Sequence, residues 1–473
     1  MKQLFFAIII ISLAAFTSCG GSGKSAIGGE VTGVRGSSWA EANPYGMVLV
    51  SKGSIEMGPA ESDSLWDIAA VAKGMSVDNF WMDETEITNS KYRQFVYWVR
   101  DSIIRERLFD PAYGGDETFK ITENRYGDPV KPHLDWKKNI PTRNLLEEEE
   151  RAINSIVTTH PITGQRQLDI AQMNFIYSWF DHAEAAKRSN RLNPNDRILN
   201  TDIVADAGQE VTISKDTAYI DEEGRVVNET IVRPLGSLYD FYHTKIVNIY
   251  PDTTVWVNDF ANSYNEPYMR MYFSHPGYND YPVVGVSWEQ ATAFCEWRTM
   301  YYRMGQDKRP IENFRLPTEA EWEFAARNGR TENKYPWDVD GTTDAKDCFM
   351  ANFKPGEGNY TKDGSLIPAR VGTYVPNRYG IYDMAGNVSE WTSTAYTESG
   401  AKMMNDVNPQ YKYDAAKEDP YAVKKKVVKG GSWKDIARNI RADLRDSEFQ
   451  NQPRSYIGFR CVRTQIGFAK SKK

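Results

Sequence analysis

The stretch Asn377-Arg378-Tyr379-Gly380-Ile381-Tyr382-Asp383-Met384-Ala385-Gly386-Asn387-Val388-Ser389-Glu390-Trp391 sets the character of the C-terminal half of the chain. Glycines break up its aromatic and apolar residues, which predicts short strands alternating with long loops. The same density of turn residues and Trp runs from about residue 282 onward. Two helices stand out against it. Ser287-Trp288-Glu289-Gln290 is a capping box, in which the two end side chains satisfy otherwise unpaired backbone N–H groups, and it opens a helix to about Tyr302. Thr318-Glu319-Ala320-Glu321 is a second capping box, preceded by Pro317. Trp322, Ala325 and Ala326 stand at i, i+3 and i+4 and give that helix a buried stripe, and Asn328-Gly329 ends it.

Toward the N-terminus, Met47–Val50 and Ser54–Met57 read as short strands around Lys52-Gly53, and the folded part begins near Tyr45. Residues from about 100 to 280 differ in character. Leu145–Ile156 carries the acidic run Glu147–Glu150 and reads as a helix with a solvated face. Leu168–Arg188 reads as a second, amphipathic helix, and Val211–Val257 as several strands with a turn at Glu223-Gly224. No internal repeat is visible.

The chain has 473 residues, 26% of them charged, which excludes bulk disorder and fibrous architectures. Its 13 Trp and 27 Tyr suit an irregular core of rings with polar handles. A net charge of −7 implies no general affinity for nucleic acid. Lys2 followed by the apolar run Leu4–Phe16 has the form of a signal peptide over residues 1–18. The run is shorter than the roughly 20 residues of a membrane span. Phe16-Thr17-Ser18-Cys19 is similar to a bacterial lipobox, so Cys19 is the expected lipidation site and mature N-terminus. An ordinary signal peptide with Cys19 nearby is the alternative. Several acyl chains on one residue give stable anchoring. Residues 19–44, rich in Gly and Ser as far as Gly36, then form a flexible tether, and 466–473 a tail ending in the basic Lys470–Lys473. Cys295, Cys348 and Cys461 remain, which in an oxidising compartment predicts one disulfide and one odd thiol.

Seven motifs in order carry a resemblance. They are Gly53–Gly58, Asp83–Phe95, Pro282–Trp297, Arg315–Arg327, Asn377–Trp391, Val428–Trp433 and Gly458–Val462. The series resembles the formylglycine-generating-enzyme, or sulfatase-modifying-factor, family. The resemblance implies one irregular α+β domain over 45–465, similar to a C-type lectin fold, with 100–280 as a large insertion. In the enzymes two cysteines after the Gly-Gly-Ser motif bind copper and activate oxygen. Here the matching positions fall near Asp435 and Ile440, neither of which is a copper(I) thiolate ligand, so the resemblance implies a pseudoenzyme with no catalytic residues and no copper. A relative of the same fold uses iron on three histidines. His133, His160, His182, His243 and His275 include no pair at helical ligand spacing, so no iron is expected.

The resemblance further implies a disulfide between Cys295 and Cys461, with two buried free thiols as the alternative. It implies structural calcium at Asp383, Gly386, Val388 and Glu390, and a second calcium at Asn352, Phe353, Asp363 and Ser365, where the intervening loop is short. Turn capping by Asp383 and Glu390 is the alternative.

Lipidation, the missing thiols, the long insertion, Tyr272–Pro276 and Tyr281–Trp288 together resemble the gliding-motility lipoprotein K (GldK/PorK) group of the type IX secretion machinery. That resemblance implies a lipid-anchored outer-membrane protein facing the periplasm. It would self-associate into a ring with partner protein N. A lipoprotein of the paralogous J type, and a glycan-binding lectin-like lipoprotein, are the rival readings.

Overall fold

At the centre of the fold lies a four-residue strand, Phe80–Asp83, with every residue buried. Successive side chains of a strand point to opposite faces, so such a strand needs cover on both. Trp81 packs with Met47, Phe95, Phe294 and Trp297 on one side, while Phe80 and Met82 pack with Ile55, Met75, Trp322 and Phe324 on the other. The computed structural model describes residues 40–58, 72–124, 126–159, 164–190, 211–221, 225–305, 311–356, 358–416 and 418–469. The signal segment 1–18, Cys19, the tether up to residue 39, His160, the turn at Glu223-Gly224 and Lys470–Lys473 lie outside the described residues.

Phe80–Asp83 pairs antiparallel with Met47–Val50 and with Val462–Thr464, which pairs in turn with Phe314–Arg315. The sheet thus joins both ends of the unit Asn43–Ile466. A second four-stranded sheet runs in the order Asp446–Phe449, Lys425–Lys429, Ser389–Ala395, Ile457–Gly458. Ser54–Met57 falls within the strand Gly53–Met57, which pairs with Lys73–Val77 and not with Met47–Val50. In the other unit, Ala40–Glu41 pairs in parallel with Phe468–Ala469, so two residues of the expected tail are strand.

Both capping boxes form. Gln290 N donates to Ser287 Oγ at 3.2 Å and Ser287 N to Gln290 Oε1 at 2.9 Å, starting the helix Trp288–Gly305. Glu321 N donates to Thr318 Oγ1 at 3.1 Å and Thr318 N to Glu321 Oε2 at 2.9 Å, starting Glu319–Ala326. Asn328 and Gly329 follow with φ of 56° and 68°, the left-handed conformation that ends helices. A third helix, Asn89–Phe109, is capped by Thr88 and buries Tyr92, Phe95, Val96 and Val99. No helix among the described residues is long and apolar enough to cross a membrane.

One expectation for residues 100–280 needs correction. The acidic helix forms over Glu147–Asn154. Leu168–Arg188, however, is not one helix: Asn174–Phe180 is a strand paired along its length with Tyr242–Asn248, flanked by a single 3-10 turn at Ile170–Gln172 and a short α-helix at His182–Ala186. Aromatic and β-branched side chains in Phe175-Ile176-Tyr177-Ser178-Trp179-Phe180 favour a pleated surface, and the partner strand supplies one. Phe175 is buried while Ile176 is 56% exposed, the alternation of a half-covered strand. The segment also contributes to the core. Met173, Phe175, Val247 and Ile249 sit in the main core, and Tyr92 Oη donates to Ile249 O at 2.8 Å. The strands expected between Val211 and Val257 form as Thr212–Ile220, Val226–Pro234 and Tyr242–Asn248.

Candidate functional site

The resemblance puts the two thiol positions of the enzymes in the loop from Gly430 to Ile440. Gly431 has φ of 63°, and a Cβ there would stand 2.5 Å from Asn439 O, so glycine alone lets the loop fold back on itself. Asp435 closes a turn within it. Its Oδ2 accepts from Ser432 N at 2.9 Å and Ser432 Oγ at 2.6 Å, and Lys434 Nζ lies 3.3 Å from Oδ1. Ile440 is wholly buried among Tyr335, Ala351, Phe353 and Ala385. One position is therefore a turn-capping carboxylate and the other a core aliphatic. Neither side chain can be a redox thiolate. Trp433 N donates to Asn387 O at 2.9 Å, tying this loop to the Asn377–Trp391 stretch.

That stretch carries a buried ionic network. Glu390 receives Arg460 Nη2 at 2.6 Å and Trp322 Nε1 at 2.8 Å. Asn387 Nδ2 donates to Glu86 Oε2 at 2.7 Å and Val388 N to Glu86 Oε1 at 3.2 Å. Asp383, in the left-handed region at φ 57°, accepts from Gly372 N at 2.7 Å. Burial, together with Glu390, pushes the Asp383 carboxyl up to about 6 against the opposing effect of Arg460. Burial also drives Glu86 well above the carboxylate range, helped by Asp383 and Glu390. Glu86, Asn387 and Arg460 lie within the sequence motifs, but motif spacing does not show that they meet. The available signal is a charged residue set among apolar ones, as in Phe459-Arg460-Cys461.

The first expected calcium group, Asp383, Gly386, Val388 and Glu390, does not fit a calcium ion in this arrangement. Both oxygens of Glu390 already face the Arg460 guanidinium, which holds the positive charge that the ion would bring. The second group fits better. Asn352 Oδ1 is buried without a hydrogen-bond partner. Asp363, beside it, accepts from Phe353 N at 2.7 Å and Ser365 N at 3.1 Å, yet burial still raises its pKa. An orphaned amide oxygen and a desolvated carboxylate are hard oxygen donors short of a cation. Asn352 and Asp363 would hold calcium there, with the carbonyls of Phe353 and Ser365 completing the set. Among the described residues, no group of three or more His, Cys, Asp or Glu is arranged to hold a metal.

Cys295 and Cys461 are brought together as two buried thiols with Sγ atoms 3.3 Å apart, longer than the ~2.05 Å of a disulfide. Burial pushes the Cys295 thiol well up, reinforced by Cys461. Next to them, burial raises Asp83 but Arg298, at 2.7 Å, and the Cys461 N–H, at 2.9 Å, more than offset it. Cys348 is exposed and stands apart as a free thiol. His243 Nδ1 accepts from Asp216 N at 3.0 Å, and His275 Nδ1 from Gly277 N at 3.0 Å.

Comparison with known proteins agrees with the motif series. The bovine (Bos taurus) formylglycine-generating enzyme is 33% identical over 189 residues, which is 39% of this chain and 44% of that protein. The inactive C-alpha-formylglycine-generating enzyme 2 of Mus musculus is 32% identical over 187 residues, 38% of this chain and 48% of that one. The chain thus spans less than half the length of these relatives. Among solved structures, PvdO from Pseudomonas aeruginosa superimposes with a TM-score of 0.42 at 13% identity, covering 89% of this chain and 94% of that one. CarF gives 0.37 at 16% identity, covering 90% and 100%. The model of the sulfatase-modifying factor enzyme 1-like domain matches residues 36–171 and 203–465, and so includes most of the segment read as an insertion. With its motifs, its irregular α+β architecture and that match over most of its length, the chain belongs to the FGE-sulfatase family of sulfatase-modifying factor enzyme 1-like domains.

Proposed function

We propose that this chain is a non-catalytic scaffold, anchored by acyl chains on Cys19 to the periplasmic face of the outer membrane. In this reading it is the gliding-motility lipoprotein K type component of the type IX secretion machinery. It associates with further copies of itself and with partner protein N in a ring. The observation that carries the non-catalytic part is the fate of the two thiol positions, now Asp435 in a turn and Ile440 in the core. Relatives named as inactive formylglycine-generating enzymes support it, since this family contains members without the activity. Other relatives carry the name of the active enzyme, so a direct assay is needed. The lipobox, the apolar run before it and the Gly/Ser tether support the anchored part.

The physical logic is that of a building block. An acylated terminus holds many copies on one membrane face, and one repeated head-to-tail contact closes a ring when the rotation per subunit fits. Calcium at Asn352 and Asp363 would stiffen the loop between them without taking part in chemistry.

Three measurements test the proposal. Purified protein with copper and oxygen should leave a sulfatase-type cysteine peptide unconverted, and turnover above a no-protein control overturns the pseudoenzyme reading. Detergent extracts of native membranes should yield this chain in large particles that also contain partner protein N. A Cys19→Ala variant should leave the membrane fraction or remain unprocessed. Monomeric extraction of the native chain overturns the scaffold reading, and particles with a different partner set point to the J type.

A further inference from the structure

The helix Trp288–Gly305 and the strand Asn174–Phe180 part around a cavity of about 470 Å³. Phe175, Tyr177, Glu296, Met300 and Met304 are among its lining residues. That volume is within the usual range for small-molecule sites, roughly 300–1,000 Å³. None of these residues belongs to the loop Gly430–Ile440 or to the two oxygen-rich groups above.

Glu296 is the unusual member. Among the described residues, no group donates a hydrogen bond to its carboxylate or forms an ion pair with it. Arg303 also lines the cavity, but its Nη2 is turned to Ile311 O at 3.3 Å and Asn313 Oδ1 at 2.7 Å. Lys412, the other cation that influences Glu296, lies 3.7 Å from Asp414. Burial pushes the Glu296 carboxyl up to about 7, against the opposing influence of both cations. A desolvated, unpaired carboxylate in a cleft is a functional-site candidate, because packing alone would favour an uncharged residue there.

The walls indicate what it would take. Tyr177 stacks on Phe175 with ring centroids 6.0 Å apart, and the Trp179 ring, tilted against it, lies 5.6 Å away. Met300 and Met304 add flexible thioether surface that adapts to an apolar stem. Aromatic faces attract cations, and the carboxylate supplies the opposite charge. We propose that this cavity binds an organic cation, a primary ammonium on an unbranched apolar stem, with Glu296 as its counter-ion and Tyr177, Met300 and Met304 along the stem.

The test uses the full chain in detergent with methyl-labelled methionine, titrated at pH 8 with n-pentylammonium and followed by NMR. Saturable shifts of the Met300 and Met304 methyl signals are expected, with none from n-pentanol at the same concentrations. Affinity should fall at least tenfold in Glu296→Gln. Ile176→Trp, placed at the exposed rim, should block binding while leaving the fold intact. A second titration with acetyl-Gly-Lys-Gly-amide separates the sources. Binding of both probes supports the site and assigns a polypeptide lysine, whereas binding of the free amine alone supports it and assigns a small amine. Absence of saturable shifts, equal shifts with pentanol, or unchanged affinity in both variants overturns the proposal.

Discussion

Arg460 Nη2 lies 2.6 Å from Glu390 Oε1, and neither side chain is exposed to solvent at all. Arg460 Nε also donates to Glu390, at 2.7 Å, and Nη1 and Nη2 donate to Asp83 O at 3.2 Å and Tyr382 O at 2.9 Å, so each guanidinium nitrogen has a partner. With Glu86 and Asp383 close by, it is the cation that makes this carboxylate cluster tolerable. Removing one partner of such a pair leaves a buried charge alone, which costs about 3–5 kcal/mol. Arg460→Met should therefore lower the urea unfolding free energy by about that amount. The double variant Arg460→Met/Glu390→Gln should recover much of the loss. A loss below about 1 kcal/mol in the single variant would show that water or rearrangement relieves the charge.

Glu296 makes the native state pH-dependent in a definite direction. Its carboxyl is raised from 4.5 to about 7, so the folded protein keeps this proton after the unfolded chain has lost it. The native state is favoured at low pH, and that advantage disappears as pH rises from 4.5 to about 7. At about 1.4 kcal/mol per pKa unit, roughly 3 kcal/mol is the upper bound. Glu296→Gln should thus raise the melting temperature at pH 8 and leave it unchanged near pH 4. An equal effect at both pH values would mean that packing, not ionisation, sets the difference.

Cys295 and Cys461, with Sγ atoms 3.3 Å apart, would be oxidised to a disulfide if the chain is periplasmic as proposed. In unreduced, denatured protein both should resist alkylation, while exposed Cys348 reacts. Loss of such a bridge typically costs about 2–5 kcal/mol. Mass spectrometry showing full labelling of all three cysteines without reductant would leave the pair as packed thiols.

Local signals in the sequence read well where one side chain decides the outcome. Ser287/Gln290 and Thr318/Glu321 started helices where expected, because a capping box is complete within four residues. Pairings across the chain were not legible. Nothing near Asn174–Phe180 shows that Tyr242–Asn248 will lie beside it, and its apolar spacing fits a helix until that strand supplies the pleated partner. Arg460 and Glu390 stand 70 residues apart, so the competitor for the expected calcium became visible only when the sheets brought them together.

The last prediction separates the parts of 100–280 that hold the core from the part that can serve assembly. Thr212–Ile220 and Val226–Pro234 form a long hairpin whose apolar side chains Tyr219, Ile220 and Val232 are 47%, 52% and 73% exposed. It rests on Tyr242–Asn248 through polar contacts, Asn228 Nδ2 donating to Ile246 O at 2.9 Å and Asp216 N to His243 Nδ1 at 3.0 Å, and its one buried apolar side chain near the base, Ile213, packs with Leu235 and Phe241 in a small cluster apart from the main core. Under the scaffold proposal this ribbon is the part of 100–280 available for an assembly contact, and a stable contact of that kind buries more than about 1,000 Å² in total. At its base, Leu235 N donates to Val211 O at 2.9 Å, so a two-residue Asn-Gly turn from Val211 to Leu235 can replace the hairpin without moving either end. That variant should unfold cooperatively near the native urea midpoint yet fail to enter large membrane particles. Deleting Asn174–Phe180 removes Phe175 from the main core and should abolish the fold itself. Sizing detergent extracts of both variants beside their urea transitions decides the matter. If the hairpin-less chain still forms normal particles, the assembly contacts lie elsewhere on the family fold.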